Sequence, residues 1–167
     1  LDDKKIPIEV HSHLDKSAFI LDHSEMLERR QLRTLDGVES GVLKTEDHLL
    51  YICLHHTRHF WSKLNWLADL DALMTAGDFD HSRFMSLAEQ RGLEATAEAS
   101  FNLHIACSKE EPFEYAADFP ATLELLIAMT RILQNGPATE FEMRTHQPSL
   151  DFSYEWQFPK GYGRNRI

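Results

Sequence analysis

Two groups of residues in this 167-residue chain have types and spacings that chemistry could use. The first lies in IPIEVHSHLD, residues 6–15. Alternate side chains of an extended strand project to opposite faces, so Ile6, Ile8 and Val10 share one face and Glu9, His11 and His13 the other. A carboxylate with two imidazoles at that pitch is an acceptable ligand set for zinc or another transition metal. The same alternation also marks the solvent face of any half-exposed strand. The second group lies in TEDHLLYICLHHTRHFWSKLNWLADLDALM, Thr45 to Met74. His48, His55 and His59 recur at steps of seven and four, which sets them on one side of a helix. Lys63, Trp66 and Asp69 follow on a second helix. A buried imidazole without a hydrogen-bond partner costs free energy that a leucine would not, so these histidines either bond to backbone and solvent at the surface or meet a ligand. On the ligand reading, Lys63 or His59 meets phosphate and an aromatic ring meets a base. On the packing reading, Trp61 and Trp66 fill the groove beside the helices, and Asp69 pairs with Arg58, Lys63 or an imidazole. Arg29, Arg30 and Arg33 form a basic cluster that either faces phosphate or is solvated.

The elements that must position these residues are legible in outline. Pro7 suits the start or edge of the first strand, where a missing amide donor does no harm. EMLERRQL, within the ambiguous stretch up to Leu35, fits a short helix, and RTLDGVESGVLK then offers Asp36-Gly37 as a tight hairpin turn between short strands. Thr45 is placed to cap the next helix, with Glu46 and Asp47 in its first turn. Leu49, Ile52 and Cys53, then Leu64, Leu67, Ala68 and Leu70, recur at helical steps on either side of a break at Phe60 to Ser62. The second of these helices is expected to end around Ala76 and Gly77. Asp80 caps a helix running to Arg91 and closed by Gly92; another fits Glu94 to Ser108. Pro120 opens a helix that Asn135-Gly136-Pro137 stops. The expected fold class is α+β, with about five helices forming a predominantly helical subdomain and a small β-sheet edge and hairpin at the N-terminal end. Residues 1–44 are assigned to the sheet edge and hairpin, 45–147 to the helical subdomain, and 148–167 to an aromatic extended arm and basic tail.

In that arm Phe152, Tyr154, Trp156 and Phe158 alternate with polar residues and make one aromatic face. It either lies on the domain's own surface or meets a partner or a second copy. The formal net charge of -10, from 27 acidic against 17 basic residues, disfavours duplex nucleic acid and anionic membrane surfaces. One nucleotide held by a few local groups remains compatible with it. Cys53 and Cys107 sit among apolar neighbours as small hydrophobes rather than as a disulfide framework. The absence of any apolar run long enough for a membrane helix, and of a signal-type start, points to the cytoplasm.

Both chemistry-bearing segments resemble an uncharacterised bacterial nucleotidyltransferase-like family. Glu9 and His11 hold the family's strand positions, and His55, His59, Trp61, Lys63, Leu64, Trp66 and Asp69 hold those of its helical block. Weaker similarity runs through FDHSRFMSLAEQRGLEATAEASFNLHIA, so the likeness covers Ile6 to Lys109. The resemblance implies transfer of a nucleotide from a nucleoside triphosphate to an unidentified acceptor, with magnesium. Glu9 would be the magnesium ligand and the base that takes the acceptor's proton, with His11 beside it. His55, His59, Lys63, Trp66 and Asp69 would flank the nucleotide. Such enzymes also need a Gly-Ser turn for the phosphates and an alternating acidic pair, so that two metals bridge protein and triphosphate. Neither motif precedes Glu9. With Leu1 in place of Met, the expectation is the C-terminal part of a longer polypeptide, inactive as this chain alone. Two other classes stand beside this one: a non-catalytic helical interaction module using the aromatic arm, and a small zinc hydrolase built on Glu9, His11 and His13.

Overall fold

The computed structural model describes residues 21–146. It opens with α1 (His23–Glu28), capped by Asp22, whose Oδ1 accepts from the amides of Ser24 at 2.9 Å and Glu25 at 3.4 Å. The helix stops at Glu28, so EMLERRQL is divided: its last residues enter β1 (Gln31–Leu35). β1 pairs antiparallel with β2 (Val38–Val42), with Leu35 opposite Val38 across a two-residue turn. Asp36 at φ 51° and Gly37 at φ 81° supply the two positive dihedrals that the strand twist demands of such a turn. A β-carbon on Gly37 would meet nothing within 4 Å, so dihedral freedom, not space, fixes glycine there.

Seven helices follow: α2 (Thr45–Arg58), α3 (Asn65–Met74), α4 (His81–Gln90), α5 (Glu94–Cys107), α6 (Pro112–Ala117), α7 (Pro120–Asn135) and α8 (Pro137–His146). The α+β class stands, predominantly helical with one small hairpin. α6 and α8 are the two helices that the sequence pattern does not announce. Each begins on a proline, and Pro137, which stops α7, is also well suited to the first turn of α8 because its missing amide would have had no partner there. Two boundaries also differ. Lys44, not Thr45, occupies the cap position of α2, and the Thr45 hydroxyl instead donates to Asp78 Oδ1 at 2.9 Å. α3 ends at Met74, before Ala76 and Gly77, with the Thr75 hydroxyl donating back to the Asp71 carbonyl at 2.9 Å.

The ends of α2 and α4 use the same device with different residues. In each, the amide two past the cap reaches back to the carbonyl five residues earlier: Leu93 to Ala88 and Trp61 to His56, both at 2.8 Å. At α4 the left-handed position is Gly92, φ 66°. At α2 it is Phe60, φ 53°, followed by Trp61 at φ 51°. Side chains disfavour this region by about 1–2 kcal/mol per residue, so packing must hold both. Trp61 is fully buried in the main core with Leu49, Leu54, Leu70 and Phe84, and its indole N–H donates to Thr57 Oγ1 at 3.2 Å. Phe60 fills a second cluster with Ala128, Ile132 and Met143 of α7 and α8.

Opposed strain and packing at Phe60 give a graded expectation. Phe60→Ala keeps the left-handed strain and loses the ring, costing about 3 kcal/mol or more. Phe60→Gly loses the same ring but relieves the strain, and should recover about 1 kcal/mol of that loss. Urea unfolding midpoints of the two variants check the order.

Candidate functional site

The reversal at Phe60 and Trp61 lays the start of α3 beside the end of α2. His55 and His59 lie with ring centroids 5.0 Å apart, and Trp66 is 6.4 Å from the first and 5.9 Å from the second. Lys63 Nζ stands 5.2 Å from the Trp66 ring centroid, in cation–π range. Tyr51 stacks on His55 at 5.5 Å. Thus His55, His59, Lys63 and Trp66 form one group. Asp69 is exposed, one helical turn beyond Trp66; burial lowers the His48 pKa, and the Asp69 carboxylate works against that shift.

At the centre of the group sits a residue that the spacing argument passed over. His56 is only 7% exposed, stacked on Trp66 at 4.2 Å and 5° and edge-on to Trp61 at 5.1 Å. Neither of its ring nitrogens has a hydrogen-bond partner among the described residues. Burial, reinforced by nearby His55, His59 and Lys63, pushes its pKa down to about 3. Its position was readable: Leu49, Ile52, Cys53 and His56 are one stripe at helical steps, so His56 continues the apolar face. His59 meets a residue far along the chain. Its Nδ1 lies 2.6 Å from Glu140 Oε1 on α8, and Ser62 Oγ donates to Glu140 Oε2 at 2.9 Å.

A second polar group lines a cleft of about 250 Å³ between α1, α2 and α4. Arg29 there donates to both oxygens of buried Asp47, at 2.7 and 3.3 Å. Arg29 and Arg91 also grip Glu25, and these hydrogen bonds hold the Glu25 carboxyl below the usual range. Glu46, also buried, has Arg83 at 4.0 Å. The arginine cluster expected from the sequence does not converge: Arg30 donates to the Leu27 carbonyl at 2.8 Å and Arg33 to Gln31 at 2.9 Å. Arg29 is a docking residue, tying α1 to α2.

Among the described residues no three His, Cys, Asp or Glu side chains are arranged to hold a metal. Asp69 and Asp71 are two apart on a helix, which turns them roughly 200° from each other, and Asp71 lies 3.1 Å from His104 Nε2 instead. Glu9, His11 and His13, and the ribbon Phe152, Tyr154, Trp156 and Phe158, lie outside the described residues. No helix among the described residues is long and apolar enough to cross a membrane.

A family model described as an uncharacterised nucleotidyltransferase matches residues 2–122. No curated protein and no solved structure matches the chain. The matched stretch holds Glu9 and the whole of α2 and α3, and it ends within α7, before Glu140.

The two buried groups differ in their response to change. His56 is neutral in the fold with a pKa near 3, whereas in the unfolded chain it takes a proton below about 6.5. Stability is therefore complete above that pH and falls as pH drops toward 3, by up to about 1.4 kcal/mol per unit from this group. His56→Phe should flatten that part of the slope in urea titrations at several pH values. Arg29→Met, which leaves Asp47 buried and unpaired, should cost about 3–5 kcal/mol in the same assay, and Arg29→Met with Asp47→Leu much less.

Proposed function

Because the chain belongs to the uncharacterised nucleotidyltransferase family, whose match spans most of its length, we propose that it serves transfer of a nucleotide from a nucleoside triphosphate to an acceptor, and that α2 and α3 form the wall on which the nucleotide lies. The observation that carries this reading is Lys63 Nζ standing over the half-buried Trp66 ring, which is itself backed by His56. A base that stacks on Trp66 gains about 1–3 kcal/mol without depending on its identity. Lys63, exposed and on a flexible stem, swings from the indole to a phosphate oxygen, exchanging a cation–π contact for a charge-assisted hydrogen bond. His55 borders the base, and Asp69 flanks the nucleotide one helical turn beyond Trp66.

Glu9 is assigned the carboxylate that holds magnesium and accepts the acceptor's proton, with His11 supporting it. A divalent metal supplies the positive charge that offsets the triphosphate. Among the described residues no three His, Cys, Asp or Glu side chains form a donor set for that ion. None of the seven glycines is followed by serine, and the phosphate-holding Gly-Ser turn of such enzymes is missing from residues 1–167. The chain by itself therefore binds nucleotide without transferring it. With the nucleotide reading goes a cytoplasmic location, the compartment that supplies nucleoside triphosphates.

Calorimetric titration with ATP tests the wall. Trp66→Ala should weaken binding about 5- to 150-fold, the span of one lost stacking contact. Equal affinity in the variant and the parent would remove the reading. Incubation with labelled nucleoside triphosphate, magnesium and candidate acceptors should yield no product; turnover by this chain would show that the missing turn is dispensable.

A further inference from the structure

The contact between α8 and the ring group fixes the chemistry of one imidazole. His59 Nδ1 lies 2.6 Å from Glu140 Oε1, with the His59 side chain 27% and the Glu140 side chain 19% exposed. Two lone pairs cannot face each other at that separation, so Nδ1 carries a hydrogen and donates it to the carboxylate. Arg144 Nη1, 3.3 Å from the same nitrogen, cannot then donate to it, and instead lies 3.7 Å from Glu140 Oε1. The other carboxylate oxygen accepts from Ser62 Oγ at 2.9 Å, which keeps Glu140 from rotating away. Nε2 of His59 has no partner among the described residues, so a neutral imidazole presents a lone pair there.

We propose that Glu140 is a positioning residue that holds neutral His59 in the Nδ1–H form, so that Nε2 receives an N–H or O–H group of the ligand rather than a phosphate oxygen. A phosphate oxygen has only lone pairs to offer an unprotonated Nε2, and the two repel. A base amino group or a sugar hydroxyl has the hydrogen that this nitrogen needs. Phosphate is left to Lys63, whose ammonium carries donors alone. The ligand half of the inference rests on the nucleotide reading above; the tautomer half rests on geometry alone. It also assigns a role to α8, which lies beyond the matched residues 2–122.

Nitrogen-15 NMR of the histidine rings in the full chain at pH 8 reads the tautomer directly. The parent should show His59 protonated on Nδ1. Glu140→Gln, which keeps a carbonyl acceptor, and Ser62→Ala, which leaves the His59 contact in place, should retain that form. Glu140→Ala should shift His59 toward the Nε2–H form, while Phe60 and Met143 resonances report that α8 stays docked. An Nε2–H imidazole in the parent, or an unchanged tautomer in docked Glu140→Ala, overturns the positioning role. Titration then separates the two halves. ATP should move the His59 Nε2 resonance and methyl triphosphate, which has lost its last P–O–H proton and carries no N–H or O–H donor at this pH, should not. Equal movement by both overturns the donor assignment. No response to ATP anywhere in the chain overturns the nucleotide reading, and with it the ligand half, even where the tautomer result supports Glu140.

Discussion

Two consecutive side-chain-bearing residues in the left-handed region, Phe60 and Trp61, hold the rest of this structure in place. The turn they make is the ordinary way for a helix to end, but glycine normally takes the strained position, as Gly92 does after α4. Here the strain is offset by what the two rings reach. Trp61 closes the main core, and Phe60 joins α7 and α8 through Ile132 and Met143. The same reversal returns the chain so that Trp66 stacks on His56 and Lys63 comes over the indole. Relaxing the turn would therefore disturb core, helix docking and candidate site together.

The site built on this turn is unusual in its balance of dry and charged groups. His56 is enclosed by two indoles, and among the described residues neither nitrogen has a partner, a state that the neutral ring tolerates far better than the charged one. Around it stand His55, His59 and Lys63, each of which also disfavours a proton on His56. The polar chemistry is thus pushed to the rim, where His59 meets Glu140 and Lys63 meets solvent. On the other side of α2 the charges are treated differently. Glu46 and Asp47 are buried beside the helix start, and Arg29 satisfies Asp47 with a two-point contact that also fixes α1.

The family membership and the geometry meet on α2 and α3, where the matched residues and the ring group coincide. They part at α8. Glu140 belongs to a helix outside the match, yet it lies 2.6 Å from His59 of the ring group.

Sequence alone determined the α+β class, the hairpin at Asp36-Gly37, the break after α2 and the membership of His55, His59, Lys63 and Trp66 in one block. These follow from rules that act over a few residues: strand alternation, helical periodicity, and the dihedral freedom of glycine. It did not reveal that Pro137 begins a helix, because one proline can both stop and start, and the choice depends on whether the next turn finds packing, as Met143 does against Phe60. It also placed the polar weight on His48, His55 and His59, while His56 turned out to be the buried ring. Tertiary structure alone decided that Asp47 is paired to Arg29 and that Glu140 joins His59 across 81 residues of chain. Such contacts depend on where helices dock, and docking is set by the summed fit of the core, which no local pattern encodes.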